Sequence, residues 1–298
     1  MASLFSNYLI VDWSASSTPK TGADSIWCGW LERHRDGRWV YENFNIRTRQ
    51  RAHLEIRRRL LDAMKQSRAT LVGFDFPLGY PPGTAARLAS EAEKPWRATW
   101  KVIAQAVRDD SENGNNRFAA AARLNERIGA GPFWGRPATQ AVPGLGLRKP
   151  KADSHGLPEM RLADKWQRGL QSPWKLYGVG SAGGQALTGI PYLWRLREDP
   201  ELVELVRVWP FETGLAAPFG ANPDQARVIF AEVWPSLLPQ RPIAGEVKDQ
   251  AQVRTLAHHF ARLDQTGRFA RLFAGPRSLT KEQRDAAERE EGWILGVL

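Results

Sequence analysis

Two short apolar runs constrain this chain more than any other feature. Residues 8–11 (YLIV) and 70–74 (TLVGF) each stop on an aspartate, Asp12 and Asp75. An apolar run without polar alternation, too short for a helix, reads as a strand covered on both faces. Between these runs lie two further strand-like segments, 25–33 (SIWCGWLER) and 38–46 (RWVYENFNI), joined by a turn that contains Asp36-Gly37, a hairpin signal. Next comes a helix over 49–66, capped by Thr48, with Ile56, Leu60, Leu61 and Met64 on one face and Arg49, Arg51, Arg57, Arg58 and Arg59 on the other. The order strand, strand, strand, helix, strand makes the first and fourth strands a parallel crossover pair, and such pairs are usually neighbours. Asp12 and Asp75 then sit side by side at the carboxyl edge of a sheet, where α/β proteins place their ligands. Two such carboxylates repel and raise each other's pKa unless a cation lies between them. A hard divalent ion such as Mg2+ or Mn2+, which prefers oxygen ligands, relieves that repulsion.

The remaining chain divides around an insertion. Helices are predicted over 96–109 and 116–128. The Gly- and Pro-rich stretches that continue to residue 190 keep recurring Trp and Phe, which predicts ordered loops. The expected organisation is a core of residues 1–82 and 201–298 with a helical and loop insertion at 83–200, all in one compact unit. Strands are expected over 202–209 and 227–234. A helix opens at Asp249 with Val253, Leu256, Ala257, Phe260 and Leu263 on one face, and a last helix starts at Thr280 with the capping partner Gln283. Asp249 belongs to the apolar, sheet-facing stripe of its helix, so its carboxylate projects towards the same sheet edge. Glu232, inside the apolar run VIFAEVWP, is a candidate fourth oxygen ligand, with Glu212 of WPFETG its rival. Each acid also has a plainer reading. Asp249 suits any helix start, Asp12 can cap the following loop, Asp75 can be a turn residue before Phe-Pro, and Glu232 can end its strand facing solvent.

The charge is uneven. The 298 residues carry a formal net charge of +10, yet 23 basic and 14 acidic residues lie in 1–150, against 19 and 18 in 151–298. A basic half points to a polyanionic partner, nucleic acid first. KPWRATWK (94–101) and KWQRGLQSPWK (165–175) interleave Trp with cations, as grooves for single strands do, although Trp in a core beside a solvated basic face gives the same pattern. Gly178–Gly183 matches G-x-G-x-x-G. It lacks a buried strand before it, and Pro191 is expected to interrupt the helix after it, so no dinucleotide site is read there. His258 and His259 have no partner at ligand spacing, and Cys28 reads as a core residue. A single cysteine excludes a disulfide framework. No run approaches the roughly 18 apolar residues of a membrane span. The first residues have no basic start and lead directly into a strand, so the cytoplasm is the expected compartment.

The segments IVDWSAS (10–16), VGFDFPLGYP (72–81), AEVWPS (231–236), DQAQVRTLAHHFA (249–261) and EEGWILGV (290–297) carry a resemblance. With the element order and the placing of Asp12, Asp75 and Asp249, the chain resembles the ribonuclease H-like superfold. More narrowly, it resembles the bacterial family of predicted ribonuclease H-like nucleases known as domain of unknown function 429. The resemblance implies an α/β fold, with an antiparallel meander followed by parallel strands, flanked by helices. It also implies one or two Mg2+ or Mn2+ ions bridged by Asp12 and Asp75, with Asp249 and Glu232 completing the set, and metal-activated water attacking a phosphodiester. Two departures stand out. The acid expected on the first helix has only Glu55 as a counterpart, and the insertion has no equivalent. Two other readings remain: a nucleotide-binding phosphotransferase of the actin and sugar-kinase type, for which the sequence Asp12-Trp13-Ser14 lacks the usual glycine, and a non-catalytic nucleic-acid-binding module.

Overall fold

The first strand becomes an inner strand of a mixed sheet because both of its faces are apolar. In the computed structural model, which describes residues 3–89, 94–151, 156–218, 227–240 and 242–298, β1 (Asn7–Asp12) pairs antiparallel with β2 (Ile26–Arg33), and β2 pairs antiparallel with β3 (Trp39–Ile46). Asp36-Gly37 makes the β2–β3 turn, with Gly37 at φ +85 and the His34 N–H donating to Arg38 O at 2.8 Å. Helix α1 (Arg49–Lys65) starts where Thr48 Oγ1 accepts the Arg51 N–H. It carries the chain back to β4 (Thr70–Phe74), which runs parallel to β1.

Residues 83–200 then supply α2 (Thr84–Ala89), α3 (Pro95–Ala106), α4 (Arg117–Ile128), α5 (Leu162–Trp166) and α6 (Ala182–Arg197). The chain returns to the sheet as β5 (Val206–Val208) and β6 (Val228–Glu232), both parallel, giving the order β3-β2-β1-β4-β6-β5. Helix α7 (Lys248–Gln265) and the short α8 (Lys281–Ala286) complete the chain. The α8 capping box forms as its sequence predicts, with the Gln283 N–H donating to Thr280 Oγ1 and the Thr280 N–H donating to Gln283 Oε1.

Alternate residues of the inner strands feed two separate cores. Leu9, Val11, Val72 and Phe74 pack on one face with α1 and with α3, α4 and α6, so the helices of 83–200 share the core of the sheet. Tyr8, Ile10, Leu71 and Ile229 pack on the other face with Val253, Leu256 and Phe260 of α7. Each such side chain, removed from water, contributes about 1.5–3 kcal/mol. Gly29 in β2 lets α7 approach closely, since a Cβ there would lie 3.2 Å from the backbone of Val253. At the far end of α7, Asp264 accepts the Leu4 and Phe5 N–H groups at 2.9 Å and the Tyr8 hydroxyl at 2.5 Å.

Two expectations change. The strand expected over 202–209 is reduced to three residues, because Asp199 O accepts the Leu202 and Val203 N–H groups and coils the preceding segment into turns. Pro191 does not interrupt its helix. Helix α6 runs through it, with Leu187, Ile190, Tyr192 and Leu193 buried around it. That burial outweighs the cost of about 3 kcal/mol for an internal proline. Among the described residues no helix is long and apolar enough to cross a membrane.

Candidate functional site

Parallel register sets the geometry at the sheet edge. Val11 of β1 lies opposite Phe74 of β4, so the next residues, Asp12 and Asp75, emerge together. Their carboxyl groups hydrogen-bond to each other. Burial comes first, and their mutual repulsion second, in lifting Asp12 well above the usual carboxylate range. Asp75 is raised too, by burial above all, against the hydrogen bond that its Oδ1 accepts from the Trp13 N–H at 2.7 Å. Two carboxyl groups placed this way disfavour the state in which both are ionised. Gln185 of α6 fixes the rear of the pair, donating from Nε2 to Trp13 O at 2.6 Å and more loosely to Asp75 Oδ2 at 3.4 Å.

Asp249 stands in the first turn of α7 and lines the same cavity, of about 660 Å3, as Asp12 and Asp75. Its Oδ2 accepts the Asp24 N–H at 2.7 Å, and its charge acts on both Asp12 and Asp75. Burial raises its own pKa, against the hydrogen bond from the Asp24 N–H, and the Asp24 charge adds a smaller rise. Among the described residues, no three His, Cys, Asp or Glu side chains are grouped closely enough to hold a metal ion by themselves.

Glu232, which shares a smaller cavity of about 190 Å3 with Asp75, does not line the larger one. It lies at the end of β6, buried, where Arg161 grips both its carboxylate oxygens at 2.6 and 2.7 Å and the Leu78 N–H donates to Oε2. Arg161 also takes both oxygens of Asp164, so Glu232 is already paired with a cation that the chain itself supplies. Glu212 is equally engaged, accepting from Arg197 at 2.6 and 2.9 Å and from the Val208 N–H. Glu55 pairs with Arg58 and Arg59 on the outer side of α1.

No family model, no curated protein and no solved structure matches this chain.

The basic features look different once they are placed. Trp96, Trp100 and Trp174 are buried in the core and offer no stacking platform, whereas Trp166 is 38% exposed. On α1, Arg57 pairs with Asp199 and Glu201, Arg58 with Glu55 and Asp62, and Arg59 with Glu55 and Glu42. Arg49 is wholly buried against Asp109. Four of the five arginines that the sequence places on α1 are therefore paired with acids of the fold. No strand precedes the glycine-rich loop 178–183, whose Gly183 and Gly184 instead let the first turn of α6 press on the backbone of residues 173–176. Cys28 is buried in β2, as its sequence context suggests. Sequence reasoning missed Gln185, Asp24 and Arg117, all of which line the acidic cavity. They lie on loops or at helix starts, where no periodic pattern flags a side chain.

Proposed function

We propose that this chain is a metal-dependent phosphodiesterase of ribonuclease H-like fold that acts on nucleic acid. One observation carries the reading: Asp12 and Asp75 touch at the carboxyl edge of the sheet, facing a cavity, with no arginine or lysine bonded to either carboxylate among the described residues. The mixed sheet, antiparallel and then parallel, supports the fold part of the proposal.

The pair fits a hard divalent cation. Mg2+ is commonly held by one or two carboxylates, with water and substrate phosphate filling the other positions. A site with two touching carboxylates and a third acid across the cavity suits that mode better than a closed cage of protein ligands. Asp12 and Asp75 would hold the ion. Asp249 adds negative potential from the α7 side and fixes the loop at Asp24. Gln185 keeps Asp75 and the Trp13 carbonyl in place. The ion, when bound, would lower the pKa of a water and stabilise the charge that develops on the phosphodiester.

The test is hydrolysis of single-stranded, double-stranded, hybrid and branched nucleic acids with Mg2+, Mn2+ or EDTA, run on wild type, Asp12→Asn and Asp75→Asn. Cleavage that needs the metal and disappears in both variants supports the reading. Cleavage that persists in both variants overturns it.

A further inference from the structure

Three arginines are almost entirely buried near the sheet edge, and they differ in what they bind. Arg49 uses all five of its side-chain N–H groups, on both Asp109 oxygens and on the carbonyls of Ser14, Ser16 and Asn113. Arg161 also uses all five, on Asp164, Glu232 and the carbonyl of Glu291. Arg117, at the start of α4, is 8% exposed and has no carboxylate partner among the described residues. Its Nη1 donates to Ser17 Oγ at 2.9 Å and Asn115 Oδ1 at 3.0 Å. Its Nε is buried without an acceptor, and no acceptor among the described residues meets Nη2.

A buried guanidinium is normally paired, because removing its charge from water is costly. Burial, and then the nearby charge of Arg49, push Arg117 down to about 10, while Asp109, which acts the other way, is itself bonded to Arg49. Arg117 lines the same cavity as Asp12, Asp75 and Asp249. Its guanidinium lies 4.3 Å from the centroid of the Phe118 ring, and Phe118 meets Tyr177 edge to face. Tyr177, 48% exposed, and Val179, 96% exposed, stand on the cavity rim formed by the glycine-rich loop.

We propose that Arg117 is the phosphate-binding residue of this cavity, with Tyr177 beside it stacking a base, so that the site takes a single-stranded stretch of nucleic acid. The inference rests on the phosphodiesterase reading and names its substrate class. The unpaired Nη2 of Arg117 is left to donate to a phosphate oxygen, and an exposed ring next to a cation is how single strands are gripped without regard to sequence. A cavity of about 660 Å3 also has room for a nucleotide unit.

The test measures binding without turnover, by fluorescence anisotropy of a labelled short oligothymidylate in EDTA. Wild type, Arg117→Gln, Arg117→Lys, Tyr177→Ala and Asp75→Asn are compared, with thermal melts of each. Arg117→Gln is expected to weaken binding by about tenfold or more, the scale of hydrogen bonds to a charged group. Arg117→Lys should fall between it and wild type, and Tyr177→Ala should lose severalfold. Asp75→Asn should bind at least as well as wild type. The melting temperature of Arg117→Gln should hold or rise, because an uncompensated buried charge is removed; a merely structural arginine would lower it. The proposal is overturned if wild type does not bind, if Arg117→Gln binds as wild type does, or if only free inorganic phosphate depends on Arg117. Binding through Arg117 without any metal-dependent cleavage would refute the catalytic reading while leaving this one standing.

Discussion

Two acidic clusters sit at the carboxyl edge of one sheet and have opposite company. At the ends of β1 and β4, Asp12 and Asp75 touch each other and no side-chain cation bonds to them among the described residues. At the end of β6, Glu232 lies under a guanidinium that also holds Asp164. Glu232 is buried, whereas Asp12 and Asp75 are only partly shielded and face a cavity. The counter-charge separates them further. Where the chain supplies its own cation, the acid serves to tie residues 161–164 of the insertion to the sheet. Where it supplies none, the acids are left poised for a charge from outside.

The sharpest way to break this comparison is to remove the internal cation. Arg161→Met should strand Asp164 and Glu232 in the interior and cost about 3–5 kcal/mol of stability, read from urea or guanidinium unfolding. A loss under 1 kcal/mol would mean that the second cluster does not depend on its counter-charge. Next in size is Asp75→Asn. It should reduce phosphodiester cleavage by at least about a hundredfold, equivalent to ~2.7 kcal/mol in the barrier, while leaving unfolding free energy unchanged or higher, because one of two repelling carboxylates is gone. An Asp75→Asn chain that unfolds as readily as Arg161→Met would make the two clusters alike.

A comparable effect should appear on wild type with Mn2+ at about 100 times its dissociation constant, which should raise stability by ~2.7 kcal/mol. Differential scanning fluorimetry checks it. The same titration on Asp75→Asn should show little shift, and on Glu232→Gln the shift should persist. Smallest is the surface: Arg57→Ala breaks a partly exposed pairing with Asp199 and Glu201 and should change stability by less than about 1 kcal/mol, with that change shrinking further in high salt.

Much of this edge was legible in the amino-acid sequence, and the reason is local. YLIVD and TLVGFD announce covered strands because both faces of the sheet are packed, and a crossover helix between them leaves few ways to arrange the pair. The side of α7 that carries Asp249 followed from a stripe of 3.6-residue period that Val253 and Leu256 share. Glu232 was different. Its strand was legible, but its partner Arg161 lies 71 positions away in a loop without periodicity, so nothing local distinguished a bound ion from a bound guanidinium. Arg117 was equally hidden: the run NGNNRF signals a turn, and only the folded chain leaves its guanidinium without a carboxylate. The arginine-rich face of α1 misled in the other direction, since its acidic partners at 42, 199 and 201 come from other elements.

The bond network at Asp264 bears on how the chain comes to be folded at all. Asp264 receives the amides of Leu4 and Phe5 and the hydroxyl of Tyr8 across some 260 positions of sequence. Contacts of such separation form late, after the entropy of closing a long loop has been met. During synthesis the face of the first strand that carries Tyr8 and Ile10 therefore stays uncovered until the last long helix has left the ribosome. Aggregation before that moment is the hazard of this arrangement. Changes that loosen the end of α7 should show first as a lower yield of folded protein, before any change in what the folded protein does.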